Sequence, residues 1–190
     1  MIILIGGVGS VGKTLMAQTL LETYKIPYLS IDHLKMGLYR SDQNCGFTPL
    51  DDTETIGDKL WPILKGIMMT NIENEQNIII EGAYLLPHYL KVLDSDYSEE
   101  IISVFFGFTE NYIKENFESK IVKHRHTIEC RNHSEERTVK ELIAEHKAFK
   151  EDCLRSGVKY FEINEDYDRE ILAVYDYIDE EIKNRDLLKM

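Results

Sequence analysis

Short apolar runs alternate with longer amphipathic stretches along the 190 residues of this chain. Five runs have the length and composition of β-strands, and they cover residues 1–5, 28–31, 77–81, 101–106 and 158–163. Several are continuously apolar, which is typical of parallel strands that are covered on both faces. Because helix-like stretches separate the runs, the pattern predicts a doubly wound α/β domain with right-handed crossover connections.

Two intervals between the predicted strands are longer than a simple crossover requires. The first, at about residues 36–76, combines a loop-like stretch with a helix. The second has a polar segment at about residues 124–137 between two helices, and the later helix is predicted from residue 135 onward. Long insertions in a compact domain commonly form lids or substrate clamps. We therefore expect one domain over residues 1–190 that carries a substrate-side insertion and a lid segment.

A phosphate-binding signature, G-x-x-x-x-G-K-[ST], lies between the first predicted strand and the first predicted helix, as this motif requires. Its residues are Gly7, Val8, Gly9, Ser10, Val11, Gly12, Lys13 and Thr14. Glycines let the backbone N–H groups approach phosphate oxygens, Lys13 can reach the β- and γ-phosphates, and the Thr14 hydroxyl can ligate Mg²⁺. The positive end of the following helix adds to the anion site. We therefore expect a nucleoside triphosphate to bind here.

Composition narrows the classes of function. The net charge is −12 and no block of Lys and Arg is present, so nucleic-acid binding is disfavoured. No apolar run approaches the ~20 residues that span a bilayer, and we expect no membrane insertion. Three scattered cysteines suit a reducing compartment, and the signature starts too near Met1 to follow a signal peptide. We therefore expect a cytoplasmic protein, with a homodimer left open.

Polar residues follow the second and third predicted strands, at the sheet edge where ligands of such folds gather. Asp32 can accept the proton of an attacking hydroxyl, and the alternative is that it caps the next helix. Glu81 ends the most apolar strand, where it can hold the hydration shell of Mg²⁺ or orient the nucleophile on the substrate side. The alternative is that it only pairs with Lys13. Gly82 would leave room for a substrate beside it.

Basic residues at two further places are candidates for contacts with substrate or phosphate. Lys35 and Arg40 lie on the helix after the second strand, where they can contact an anionic or sugar group or form a plain exposed face. The lid segment contains Arg125, Arg131 and Arg137. A mobile arginine neutralises the charge of a transferring phosphoryl group, and the alternative is pairing with nearby glutamates. We name Arg125 and Arg131 as the catalytic candidates.

The order of these motifs resembles the P-loop small-molecule kinases. The resemblance rests on the phosphate-binding loop, Ser-Ile-Asp-His after the second strand, Ile-Ile-Ile-Glu-Gly at the third, and Val-Phe-Phe-Gly-Phe on the fourth. Most similar are the nucleoside monophosphate kinase fold, the 2-phosphoglycerate kinase type, and the zeta-toxin and chloramphenicol phosphotransferase group. The resemblance implies a P-loop NTPase fold with five parallel strands in the order 2-3-1-4-5, flanking helices and a helical lid. It also implies that Asp32 lies near the acceptor hydroxyl and residues 164–167 near the adenine.

These features predict a kinase that transfers the γ-phosphate of ATP, with Mg²⁺, to a hydroxyl of a small molecule. The insertion at about residues 36–76 would then lie on the acceptor side. Two other functions stay open. A nucleoside monophosphate kinase would need arginines around a second phosphate, and only Arg40 is available before the third strand. A non-catalytic or regulatory nucleotide-binding protein would hydrolyse ATP slowly without an acceptor. A GTP-dependent switch is disfavoured because the D-x-x-G and N-K-x-D motifs are missing.

Overall fold

The computed structural model describes residues 1–42, 44–93, 95–128 and 137–188. Its strands are β1 Ile2–Gly6, β2 Tyr28–Ser30, β3 Ile78–Gly82, β4 Ile101–Phe108 and β5 Tyr160–Ile163. They form one parallel sheet in the order β2-β3-β1-β4-β5. The predicted α/β class and strand order are therefore confirmed.

Helices pack against both faces of the sheet. They are α1 Lys13–Tyr24, α2 Ile31–Ser41, α3 Thr53–Glu73, α4 Ser95–Ser98, α5 Glu110–Asn116, α6 Val139–Ser156, α7 Tyr167–Glu170 and α8 Leu172–Leu188. A 3₁₀ segment spans Pro87–Val92, and α5 continues into a π-helical segment, Phe117–Val122, and a 3₁₀ turn, Lys123–His126. Within the described ranges, no helix is long and apolar enough to cross a membrane.

The central strand, β1, contributes to two separate cores. Ile3 and Ile5 belong to a cluster with residues of α1, α5 and α8, whereas Ile2 and Leu4 belong to a cluster with residues of α2 and α3. All four side chains are fully buried. Because successive side chains of a strand point to opposite faces, burial on both faces requires an apolar residue at every position of β1.

The register of the sheet aligns the strand ends that carry polar residues. Glu81 of β3 pairs with Ile5 on one side and with Ser30 on the other. The loop after β1, the start of α2 and the end of β3 therefore meet at the carboxyl edge of the sheet, where parallel α/β folds bind ligands.

Several element boundaries differ from the prediction, and two of these differences bear on the candidate site. β2 ends at Ser30 and Ile31 begins α2, so Asp32 lies in the first turn of this helix and is not its N-cap. The helix that follows the predicted lid segment begins at Val139 and not near residue 135, because Thr138 and Glu141 form a capping box. The T-x-x-E pattern of that box is visible in the sequence and is the signal that would have located this helix start.

Candidate active site

The loop between β1 and α1 has a backbone course that its glycines permit. At Gly7 a Cβ atom would lie 2.6 Å from the carbonyl oxygen of Phe106, so glycine allows the loop to pass close to β4. Gly12 has φ = 94° and Ser10 has φ = 70°, both in the left-handed region. These turns bring the loop to the N-terminus of α1, where free N–H groups and the helix dipole favour an anion.

Lys13 lies against this loop and is only 8% exposed. Its ammonium donates a hydrogen bond to the carbonyl oxygen of Val8, with a distance of 2.9 Å between Nζ and O. A phosphate oxygen can replace this partner, because a charged acceptor bonds an ammonium more strongly than a neutral carbonyl does.

Thr14 and Glu81 bring two oxygen groups together at the carboxyl edge. The hydroxyl of Thr14 donates to Oε1 of Glu81 at 3.3 Å, and Glu81 is 2% exposed. Burial raises the pKa of Glu81, and the positive charge of Lys13 offsets part of this increase. Mg²⁺ prefers oxygen ligands and is held by one or two carboxylates together with substrate phosphates. The residues present therefore fit the predicted metal site.

Asp32 is oriented by Lys35, one turn further along α2. The ammonium of Lys35 donates to Oδ1 of Asp32 at 3.0 Å and to the hydroxyl of Tyr84 at 2.7 Å. Burial alone would lower the pKa of Lys35, but the bond to Tyr84 and the charge of Asp32 outweigh it, and the pKa is raised. The Asp32 side chain is 45% exposed, so its carboxylate is held in place and still open to a ligand. Tyr84 was not anticipated from the sequence.

Two residues that the sequence predicts to bind substrate, Arg40 and Gly82, lie in surroundings that differ from that prediction. Arg40 is exposed in the last turn of α2, about two helical turns beyond Asp32. At Gly82 a Cβ atom would lie 2.7 Å from Cβ of Ile31, so this side chain fills the space that was expected for a substrate. The glycine instead lets the first turn of α2 approach the end of β3, which brings Asp32 close enough for its charge to act on Glu81.

A cavity of about 380 Å³ opens beside the phosphate-binding loop. Residues 10–15 form one wall. The other walls are formed by Phe108, Tyr112, Lys120, Ile121, His124, Thr127, Ile128, Tyr167 and Asp168. The rings of Phe108 and Tyr112 stack with 4.6 Å between their centroids, which gives a flat apolar surface. The size and lining suit a planar heterocycle with its sugar, next to the site for the phosphates.

Tyr167 connects this cavity to the loop. Its ring lines the cavity, and its hydroxyl donates to the carbonyl oxygen of Val11 at 3.1 Å. A Cβ atom on Gly12 would collide with this hydroxyl. Residues 164–167 were expected near the adenine, and one of them, Tyr167, lines the cavity. The π-helical residues Lys120 and Ile121 were not anticipated, because a π-helical register arises from tertiary packing and has no simple sequence pattern.

One arginine of the predicted lid segment, Arg137, lies against the loop. Its guanidinium forms an ion pair with Glu145, with Nη1 2.8 Å from Oε2, and a Cβ atom on Gly9 would lie 3.2 Å from its two terminal nitrogens. The side chain of Arg125 and the whole of Arg131 lie outside the described residues, so the catalytic roles predicted for them stay predictions. Arg137 was among the lid candidates but was not one of the two chosen.

Comparisons with known proteins bear on the fold. No protein-family model matches the sequence, and no curated protein matches it. Among solved structures, a gluconokinase from Sinorhizobium meliloti matches with a TM-score of 0.54 and 14% identity over 99% of this chain and 97% of that chain. A shikimate kinase from Aquifex aeolicus matches with a TM-score of 0.54 and 15% identity over 95% and 97%. A sugar kinase from a Janibacter species matches with a TM-score of 0.52 and 14% identity over 94% of each chain.

These similarities extend over nearly the full length of both chains in each pair. At identities of 14–15% they concern the architecture and carry no information on the substrate of this protein. Together with the phosphate-binding loop and the strand order, they show that the chain has the fold of the P-loop kinases.

Proposed function

We propose that this protein is a kinase that transfers the γ-phosphate of ATP to a hydroxyl group of a small molecule, assisted by Mg²⁺. The observation that carries the proposal is the meeting of two sets of groups at one sheet edge. One set is the triphosphate-binding loop with the Thr14–Glu81 pair, and the other is the Asp32 carboxylate held by Lys35. A protein that only binds nucleotide needs the first set and has no use for an oriented carboxylate beside it.

On the donor side, the N–H groups of the loop and the ammonium of Lys13 hold the β- and γ-phosphates. Arg137, which lies against Gly9, is well located to neutralise charge on the γ-phosphate. Thr14 and Glu81 would hold Mg²⁺, which when bound neutralises the negative charge that develops on the leaving group. The cavity lined by Tyr112 and Tyr167 would accommodate the nucleoside.

On the acceptor side, Asp32 accepts the proton of the hydroxyl while the hydroxyl oxygen attacks the γ-phosphorus. The new bond from this oxygen to phosphorus forms as the bond from phosphorus to the β,γ-bridging oxygen breaks, and ADP departs with that electron pair. Lys35 holds the Asp32 carboxylate in one orientation, which reduces the entropy that the reacting groups lose on reaching the transition state.

The charges around Asp32 favour an acceptor with little charge. The adjoining cation, Lys35, is already bonded to Asp32 and Tyr84. A nucleoside monophosphate acceptor would need guanidinium groups around its own phosphate, and Arg40 is exposed about two turns from Asp32. A sugar, polyol or other hydroxyl compound fits these surroundings better.

The proposal is tested by a screen in which the purified protein receives ATP, Mg²⁺ and one acceptor at a time, with release of ADP as the readout. The acceptors are sugars, sugar acids, polyols, nucleosides and nucleoside monophosphates. We expect ADP release that depends on one class of hydroxyl compound. A strong preference for nucleoside monophosphates would favour the alternative kinase, and slow release that is independent of any acceptor would contradict transfer altogether.

Asp32→Asn examines the proposed base in the same assay. Loss of a general base is expected to lower the transfer rate about 10²- to 10⁴-fold, while ATP affinity measured by calorimetry stays near the wild-type value because the donor side is untouched. Asp176→Asn, on the exposed face of α8, removes the same charge and should change neither quantity. Full transfer activity in Asp32→Asn would exclude this residue as the base.

A further inference from the structure

The hydroxyl group of Tyr84 has a proton that the described part of the fold does not use. Its oxygen, Oη, accepts a hydrogen bond from Nζ of Lys35 at 2.7 Å. An ammonium group has no acceptor, so the phenolic proton cannot be donated back to Lys35. Among the residues that the structure describes, none accepts this proton. The ring of Tyr84 packs against the core that includes residues of α2 and α3, but the side chain is only partly buried.

This hydroxyl lies beside the carboxylate that we propose as the base. One nitrogen, Nζ of Lys35, bonds to Oη of Tyr84 at 2.7 Å and to Oδ1 of Asp32 at 3.0 Å. Because the bonds of one ammonium diverge at roughly the tetrahedral angle, the two oxygens lie about 4.5–5 Å apart. The Asp32 side chain is 45% exposed, so a molecule that reaches this carboxylate also comes within reach of the phenol.

A hydrogen-bond acceptor and a hydrogen-bond donor held at this separation match two oxygens of one small molecule. Oxygens on adjacent carbons are about 3 Å apart in the gauche rotamer. If one bonds to Asp32 and the other to Tyr84, each at about 2.7 Å, then these four oxygens and the Lys35 nitrogen close a ring of five contacts of similar length. A molecule with an isolated hydroxyl would exclude water from Tyr84 and leave the phenolic proton unpaired, which is costly.

We infer that Tyr84 is a specificity-determining residue whose hydroxyl donates a hydrogen bond to an oxygen on the carbon next to the one that carries the reacting hydroxyl. This inference rests on the proposed function and deepens it, because it names the acceptor class as compounds with oxygens on adjacent carbons, such as vicinal diols. The reacting hydroxyl donates to Asp32, and the neighbouring oxygen needs only to accept. Lys35 positions both protein groups and needs no direct contact with the acceptor molecule.

Three probes that differ only at their central carbon test the contact. Glycerol has a hydroxyl at this carbon, the central methyl ether of glycerol has an oxygen that can accept but not donate, and trimethylene glycol has no oxygen there. Each probe is added at up to molar concentration to the full chain with ATP and Mg²⁺, and kcat/KM for the probe is measured from the release of ADP.

In the wild type we expect glycerol and its central methyl ether to react with similar kcat/KM. The value for trimethylene glycol should be about 5- to 20-fold lower, because its complex leaves the Tyr84 proton unpaired. In Tyr84→Phe we expect the three probes to become equal. This substitution also removes the bond with Lys35, which lowers the activity with every probe by the same factor. The ratio between probes therefore isolates the direct contact from the positioning of Lys35.

Tyr97→Phe is the matched control for that variant. It removes a phenolic hydroxyl that donates to Oε1 of Glu73 at 3.0 Å, where α4 meets the end of α3. These elements precede β4 and β3 and lie at the opposite, amino edge of the sheet. We expect wild-type values for all three probes in Tyr97→Phe. The affinity for ATP, measured by calorimetry, should be unchanged in both variants because the donor side is untouched.

Several results would overturn the inference and leave the proposed function in place. In the wild type, these are equal kcat/KM for glycerol and trimethylene glycol, a central methyl ether as poor as trimethylene glycol, or no transfer to glycerol by a protein that phosphorylates another hydroxyl compound. In Tyr84→Phe, it is a ratio between probes that stays at the wild-type value, since the hydroxyl would then serve only to hold Lys35. Release of ADP that is independent of any acceptor would instead contradict the proposed function.

Discussion

The proposed donor and acceptor sides of the candidate site are built in opposite ways. The donor side is one continuous segment, residues 7–14, in which glycines, lysine and threonine are neighbours in the sequence. The acceptor side joins Asp32 and Lys35 of α2 to Tyr84, which follows β3. An anion site made of successive backbone N–H groups depends on local geometry, so its residues are recognisable in the sequence. A site assembled from separate elements takes shape only when the sheet forms.

Two lysines that are buried in the described part of the chain, Lys13 and Lys35, show the same contrast. Each is 8% exposed. Lys13 donates to the carbonyl oxygen of Val8 in its own loop, a neutral partner that a phosphate can replace. Lys35 donates to a carboxylate and a phenol from two different elements. We interpret Lys13 as a group that binds the ligand and Lys35 as a group that positions Asp32.

Among the lysine and glutamate substitutions, the largest effect is expected from Lys13→Met, which keeps a long side chain in the loop and removes the ammonium. Transfer should fall about a thousandfold, and ATP affinity should fall with it, because the contact with the phosphates exists before and during the reaction. Calorimetry with ATP and the ADP-release assay measure the two effects. Lys140→Met removes the same charge from the exposed face of α6 and is the control. Unchanged ATP binding in Lys13→Met would contradict the donor-side assignment.

An intermediate effect is expected from Glu81→Gln, at the junction of the two sides. Loss of one carboxylate near the metal should lower transfer about 10- to 100-fold and raise the Mg²⁺ concentration required for half-maximal activity. Because burial raises the pKa of Glu81, its ionised form is disfavoured in the folded protein, and the melting temperature at neutral pH should not decrease.

Glu115→Gln, on the exposed face of α5, is the matched control for that experiment. An unchanged Mg²⁺ requirement in Glu81→Gln would remove this residue from the metal site. A marked loss of thermal stability would show that the carboxylate serves the fold.

The smallest effect is expected from Lys35→Met, which releases Asp32 and leaves the donor side intact. Loss of a hydrogen bond of about 1 kcal/mol corresponds to roughly a fivefold decrease in kcat/KM for the acceptor. The affinity for ATP should stay at the wild-type value in calorimetry. If Lys35→Met weakened ATP binding as much as transfer, the division between an orienting lysine and a ligand-binding lysine would be wrong.

The sequence predicted the strands and the parallel sheet well, and the resemblance to P-loop kinases supplied the correct strand order. It misplaced the end of β2 because the apolar run continues from Ser30 into Ile31 without a break. Ile31 is fully buried in the first turn of α2, where it packs on Gly82. Hydrophobicity alone does not distinguish a strand residue from a buried residue in the first turn of a helix.

Parts of the candidate site were beyond prediction because their partners are far apart in the chain. Tyr84 meets Lys35 across 49 residues. The choice among the lid arginines had the same difficulty, since Arg125, Arg131 and Arg137 have similar polar neighbours in the sequence. The ion pair with Glu145 on α6 is what places one of them, Arg137, against the loop.

The sequence by itself determined the α/β class and the position of the phosphate-binding loop, because strand periodicity and glycine conformations act over a few neighbouring residues. The tertiary structure alone decided which side chains meet at the carboxyl edge: Thr14 with Glu81, and Lys35 with Tyr84. The physical reason is that crossover connections bring the ends of all parallel strands to one edge, whatever their separation along the chain.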